Sequence, residues 1–214
     1  LKLYHPVEFF AAYLSMQSLE DLVRYIPLVR KEGIDVEVPD INVSNIDFTP
    51  DGNTILFGLG SIKGVGLSSI PTIIEHRPYT SLEDAMEKIG KKAFNKRVGS
   101  ALIKSGAFSN LKHNRLELMN EFYDLRKDKD ERLNNGDYGK ELIMSFEMET
   151  LNCPVTYTPE WFSMEDKTEV ENVKVKITKV DERKDRSGNL MAFCRGDIGG
   201  GVEIDLIVFS SIYL

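Results

Sequence analysis

The hydrophobic period of the last part of this chain differs from that of the rest, and the difference limits what it can fold into. As far as Leu151 most apolar residues fall at helical spacing, apart from a stretch before Leu59, while from Val173 onward they alternate with polar ones, as in a strand with one covered face. A helical part followed by a small sheet is therefore expected. Pro6 before Val7, Phe9, Phe10, Tyr13 and Leu14 suits a helix with proline in its first turn. Ser18 and Asp21 open a second helix through Leu22, Val23, Ile26 and Val29, which Pro27 should kink or divide and Gly33 should stop. After an extended loop from Val38 to Ser44, Ile46–Phe48 and Thr54–Phe57 flank Pro50-Asp51-Gly52-Asn53, a turn of strong chemistry, and predict a β-hairpin. Further helices follow: one capped by Ser81 and Asp84, one from Asn95 to Ser105 ending at Gly106, a long one through Leu116–Leu125, and one from about Lys140 to Leu151. The charged run from Lys127 to Asn135 reads as a solvated linker.

Within the helical part, Lys63-Gly64-Val65-Gly66 stands between a short helical approach from Leu59 and a helix carrying Ile70, Ile73 and Ile74. Glycine lets the backbone adopt positive φ and come close to another molecule, so the amides opening the next helix can point at a phosphate oxygen. Lys63 would add a point charge and Val65 would anchor the turn between the helices. The alternative is a tight helix connection that meets no ligand. Ser105-Gly106-Ala107-Phe108, followed by Lys112, Asn114 and Arg115, reads equally as a second such hairpin and as a simple helix stop. Paired hairpins would reach both strands of a duplex across its minor groove, with Lys104, Gly106, Lys112 and Arg115 completing the contact set.

Charge bears on that reading. The 214 residues carry a formal charge of −7, which argues against a nucleic-acid binder taken whole, but the sign is unevenly distributed. Residues 60–115 hold ten basic and four acidic side chains, a balance of +6, and the rest holds 17 and 30, a balance of −13. Such asymmetry fits a basic working surface on an acidic body, or a solvated helix face. A hydrophobic content of 42% fills ordinary cores and excludes a disordered tail. Cys153 and Cys194 stand in no paired spacing, and His5, His76 and His113 share no ligand spacing, so no disulfide framework or metal site is expected and a reducing, cytoplasmic compartment is the default. No apolar run is long enough to span a bilayer, and no membrane partner is expected. Leu1 without a preceding Met, and an end at Leu214 just past a strand, lead to the expectation of a fragment.

In the last part Val173, Val175 and Ile177 alternate with polar residues, as do Val202, Ile204, Leu206 and Val208, with glycine turns at residues 187–189 and 199–201. This predicts a three-stranded antiparallel meander over residues 173–209, the start of a small barrel, since three strands alone bury little. Lys174, Lys176, Lys179, Arg183, Lys184 and Arg186, with Phe193, suit a single-strand binding face or, given interleaved Asp181, Glu182 and Asp185, a solvated hairpin. Glu203 and Asp205 share a strand face opposite apolar residues and read as solvated rather than catalytic, and no nucleophile motif stands out. No catalysis is expected from these residues themselves.

Taken together, Leu3-Tyr4-His5-Pro6-Val7-Glu8-Phe9-Phe10-Ala11-Ala12, Val38-Pro39-Asp40-Ile41-Asn42, Phe57 through Gly66, and Leu102-Ile103-Lys104-Ser105-Gly106-Ala107-Phe108 resemble the alpha subunits of bacterial DNA polymerase III, the C family of replicative polymerases. Gly188-Asn189-Leu190-Met191-Ala192-Phe193 and Val208-Phe209 are similar to the opening of that family's oligonucleotide-binding barrel. The resemblance implies an α+β multidomain fragment: residues 1–45 as the end of the fingers region, 46–150 as a mainly α-helical tandem helix-hairpin-helix module, 151–172 as a linker, and 173–214 as a partial OB-fold. It further implies primed duplex DNA and single-stranded template as partners, no cofactor in this fragment, and Mg2+ in the parent polymerase at palm aspartates outside it. In the first hairpin Lys63, Gly64 and Gly66 match the family residue by residue, and in the second Gly106 and Phe108. The family's internal sliding-clamp motif begins with glutamine, and Gln17 is the chain's only one, so a clamp is a partner whose motif is not evident. Asn152-Cys153-Pro154-Val155 replaces the expected glycine-rich continuation, which points to a divergent member of phage or mobile-element type. The competing expectations are a non-enzymatic DNA-binding or scaffolding module with the same two kinds of domain, and a purely structural domain whose hairpin touches no DNA.

Overall fold

The computed structural model describes residues 2–111, 114–127, 140–157, 176–184, 190–197 and 203–208. Contacts divide the chain into two units, Leu1–Thr158 and Pro159–Leu214.

The first unit begins with α1 (Pro6–Ser15), which buries Val7, Phe10, Ala11 and Leu14, the i, i+3, i+4, i+7 pattern that puts side chains on one helical face. The Ser15 hydroxyl donates to the carbonyl of Ala11 and accepts the amide of Phe48, fastening α1 to the next segment. Helix α2 (Leu22–Lys31) buries Leu22, Ile26 and Val29 and contains Pro27 without being divided by it. Proline forfeits a single amide bond there, while the apolar face that holds the helix in place is intact. Gly33, at φ +80°, ends the segment.

A small sheet of three short strands follows, in the order β1 (Asp35–Glu37), β3 (Thr54–Leu56), β2 (Thr49–Asp51). The hairpin forms around Gly52, at φ +60°, and its first strand lies later than Ile46–Phe48, with Pro50 opposite Ile55 in an edge strand. An edge position suits proline because it has no amide to offer a further strand. Strand β1 runs parallel to β3 and ties the residues before 45 to those after 46.

Next come a single 3-10 turn at Leu59–Ser61, α3 (Ile70–Glu75), α4 (Leu82–Ala93), α5 (Lys96–Lys104), α6 (Arg115–Arg126) and α7 (Lys140–Leu151). Side-chain caps at Ser81, Asn95 and Asn114 accept amides from the first turns of α4, α5 and α6 and so fix where those helices start. Gly90, at φ +78°, interrupts α4. Helices α5 and α6 touch where α5 is bare: a Cβ on Gly99 would lie 2.4 Å from the ring of Phe122. Phe94 and Phe122 meet edge to face with centroids 6.0 Å apart, and Phe94 and Phe108 at 6.3 Å, closing the core between α5, α6 and the second hairpin.

The loop at residues 38–44 is held by polar bonds. Asn42 pairs with Tyr79 in both directions, Arg77 donates to the carbonyls of Ile41 and Ser44, and the amide of Ile41 reaches Ala107 in the second hairpin. Burial pulls the Arg77 guanidinium below its ordinary pKa and pushes the Tyr79 phenol up to about 12.

The second unit contains β4 (Lys176–Lys184), β5 (Leu190–Asp197) and β6 (Glu203–Val208), an antiparallel meander in that order with a bulge after Ile177. The described residues hold the three strands and no closed barrel. By register Lys179, Asp181, Phe193 and Arg195 share one face, and Val180, Ala192 and Cys194 the other. Lys174 and Arg186 lie outside the described residues, as does the run 128–139 read as a linker. No helix among the described residues is long and apolar enough to cross a membrane.

Candidate nucleic-acid interface

The first hairpin is built by two buried apolar anchors, Ile62 and Val65, with the amide of Val65 closing back on the carbonyl of Ile62. Its two glycines are there for different reasons. Gly64 has φ +100°, and a Cβ on it would lie 2.9 Å from the Cβ of Ala101 on α5, so both its backbone and its packing exclude a side chain. Gly66 has an ordinary φ, and the nearest atom to an added Cβ is the Ser68 hydroxyl at 3.7 Å. Nothing inside the protein asks for glycine there. Among the described residues the amides of Gly66, Leu67 and Ser68 find no acceptor, and Leu67 beside them is 67% exposed.

Next to this turn lies an open groove of about 540 Å³ lined by Lys63, Gly64, Lys96, Arg97, Ser100, Ala101, Lys104, Glu149 and Thr150. Helix α5 supplies one wall, because residues 97, 100, 101 and 104 recur at helical spacing on one side. The exposed Arg97 runs its stem past Gly64, and no partner for its guanidinium stands among the described residues. Four cations against one carboxylate make this a positive channel able to track a phosphate backbone. The partners of Lys63 and Lys104 lie within the protein. Lys63 donates its Nζ to Asn152 Oδ1 at 2.6 Å and its amide to the carbonyl of Thr150 at 2.8 Å, and Lys104 Nζ pairs with Glu149 at 2.7 Å.

The second hairpin has a similar backbone and a different surface. Gly106 is at φ +89°, its amide bonds to Ile103 and that of Ala107 to Leu102, so the turn closes on its own helix. Phe108 is buried. Arg115, expected to face DNA, is 5% exposed and lies over Gly106, where an added Cβ would come within 2.6 Å of its Nη2. Its guanidinium pairs at 2.8 Å with Glu147, which is fully buried, and donates to the carbonyl of Lys104 and the hydroxyl of Thr156. Glu147 also accepts the amides of Val155 and Thr156 and the Thr156 hydroxyl. Every lone-pair direction of this carboxylate is used, which is what a buried charge requires. The same carboxylate and, first, burial push the neighbouring Cys153 thiol well above its ordinary pKa. Lys112 lies outside the described residues.

Of the residues expected to contact DNA, the structure thus places Lys63, Gly64 and Lys104 at one groove with Gly66 next to it, sets Val65 in the core as the anchor, and turns Gly106 and Arg115 inward. It adds Lys96, Arg97, Ser100 and Glu149. The three from α5 could have been found by laying the basic segment on a helix; Glu149 and Glu147 carry no signal in sequence. Among the described residues no three His, Cys, Asp or Glu side chains converge to hold a metal ion.

The helix-hairpin-helix motif family matches residues 33–118, a stretch containing both hairpins. The DNA polymerase III subunit alpha of Deinococcus radiodurans is 40% identical over 114 residues, 50% of this chain and 8% of that protein. That of Thermus aquaticus is 39% identical over 113 residues, 50% of this chain and 9% of that protein, and that of Neisseria meningitidis serogroup A 36% over 126 residues, 56% and 11%. This chain spans only that small share of the length of these relatives. Its resemblance is to the DNA polymerase III alpha subunits, across about half of its residues, around a helix-hairpin-helix motif.

Proposed function

We propose that this chain is a DNA-holding region of a replicative polymerase related to the DNA polymerase III alpha subunits, and that its first hairpin grips duplex backbone while nucleotidyl transfer takes place in a palm domain outside it. The amides of Gly66, Leu67 and Ser68 bind phosphate oxygens, and the groove of Lys63, Lys96, Arg97 and Lys104 carries the strand onward. In this reading residues 1–45 continue a fingers region, residues 46–150 form the DNA-holding module, residues 151–172 link, and the meander from residue 173 begins an OB-fold. Exposed Phe193 on the face shared with Lys179 and Arg195 supports a single-stranded template as that sheet's partner. Contacts to phosphate carry no base information, so binding is sequence-tolerant and weakens steeply with salt.

The observation that carries this reading is Gly66, a glycine whose missing side chain serves nothing within the protein but leaves room for a ligand at three open amides. The test is Gly66→Ala in the full chain, with binding to a fluorescent primed duplex read by anisotropy and stability read by thermal melting. Losing hydrogen bonds to a charged group predicts affinity down by roughly tenfold or more, at an unchanged melting temperature. Equal affinity of the two proteins would refute the proposal, and binding by both that is insensitive to salt would refute the phosphate mechanism.

A further inference from the structure

The groove contains one element that works against its own charge. We infer that Glu149, in the last turn of α7, is a built-in competitor for DNA phosphate that sets how tightly the groove holds duplex, an inference that rests on the DNA-holding reading above. Both Glu149 carboxylate oxygens accept from Lys104 Nζ at 2.7 Å. Lys104 is 19% exposed and covered on another side by the Phe146 ring, 5.4 Å from its Nζ, whereas Glu149 is 59% exposed. The lysine is thus presented to the groove already neutralised, with its counter-charge in front.

The same end of α7 engages Lys63, whose backbone amide donates to the carbonyl of Thr150 and whose Nζ donates to Asn152 Oδ1. The C-terminal end of a helix carries partial negative charge, so this turn attracts both ammonium groups, Lys104 through a carboxylate and Lys63 through an amide oxygen. A largely solvated carboxylate holds its partner only weakly, and the pair is therefore exchangeable. An incoming phosphate takes Lys104 over and displaces Glu149, which then opposes the phosphate by like-charge repulsion. The groove would bind sequence-tolerantly yet let go, as a protein that must move along duplex requires.

The experiment measures primed-duplex affinity across a salt series for wild type, Glu149→Gln, Glu149→Gln with Lys104→Ala, and Glu87→Gln. Glu87 lies on the exposed side of α4, outside the groove lining, and loses the same charge. The proposal predicts that Glu149→Gln binds roughly threefold to tenfold tighter. Its slope of log affinity against log salt should steepen by about one, the value of one added phosphate contact. Lys104→Ala should remove that gain, and Glu87→Gln should not produce it. Unchanged affinity and slope in Glu149→Gln, or an equal gain in Glu87→Gln, would overturn the proposal. If Gly66→Ala still weakens binding in that case, the DNA grip stands and only the competitor falls; if Gly66→Ala is also silent, both fall. Melting of Glu149→Gln at the wild-type temperature secures that the folded protein is being compared.

Discussion

Two glycine turns of similar spelling, Lys63-Gly64-Val65-Gly66 and Lys104-Ser105-Gly106-Ala107, sit at the ends of short helical segments and face different media. Among the described residues the first keeps three amides without acceptors, and it has an unfilled space over Gly66. The second returns its amides to α5 and is roofed by the guanidinium of Arg115. The difference lies in what surrounds them. A buried carboxylate, Glu147, on a helix far along the chain draws Arg115 inward, and once the arginine is there the turn has no room for a ligand. A glycine hairpin therefore indicates where a backbone can be approached, and the neighbouring side chains decide whether the approach comes from the solvent or from the protein itself.

The sharpest way to break the comparison is Arg115→Met. If Arg115 belongs to the fold, its loss leaves Glu147 charged, buried and unpaired, a mechanism that costs about 3–5 kcal/mol. Urea unfolding should show that loss, and pairing the change with Glu147→Gln should recover much of it, because both charges are then gone while an oxygen is kept for the amides of Val155 and Thr156. Stability unchanged alongside weakened DNA binding would mean that Arg115 faces DNA after all, and would erase the distinction between the hairpins. The next effect is smaller. Gly64→Ala and Gly106→Ala each place a side chain at positive φ against close neighbours and should each cost about 1–3 kcal/mol, whereas Gly66→Ala should stay within about 0.5 kcal/mol of wild type. Three equal losses in urea unfolding would show that the first hairpin is as internally determined as the second.

How much of this could be read from the chain alone depended on the range of each interaction. Ser81 and Asn95 announced the starts of α4 and α5, because a cap bonds to amides two or three residues ahead. Pro50-Asp51-Gly52-Asn53 located the β-hairpin, but proline joined the strand instead of the turn, since the edge of a sheet tolerates it. Strand β1 is three residues long with a partner in parallel, too short to show a period and not adjacent in sequence. At the candidate site the lysines and glycines were legible as residue types, but not their fates. Gly64 and Gly66 look alike until α5 is set against the one and not the other, and Arg115 looks like a DNA contact until a carboxylate on α7 is placed beside it. Asn114, noted only as a polar neighbour of the second turn, is the cap of α6. Local hydrogen bonds left a trace in the sequence; pairings between separated elements did not.

Arg97 offers the finest test, because it is the counterpart of Arg115 on the open side of α5. Both are arginines near a glycine turn. Arg97 is exposed and without a partner among the described residues, while Arg115 has a carboxylate, a carbonyl and a hydroxyl. A surface arginine with no fixed partner contributes little to folding, so Arg97→Ala should change stability by no more than about 0.5 kcal/mol. In the proposed reading, however, a strand leaving the open amides passes its guanidinium. Losing one phosphate contact should flatten the slope of log affinity against log salt by about one and weaken binding uniformly across duplex sequences. Anisotropy titrations on two primed duplexes of unrelated sequence, each over a salt series, measure both quantities. An unchanged slope would move the path of the strand away from α5, and a loss confined to one sequence would mean that the arginine reads a base. If the slope falls equally on both duplexes while the melting temperature holds, two arginines on one small motif have been separated by function, and the cause is the position of a single buried glutamate.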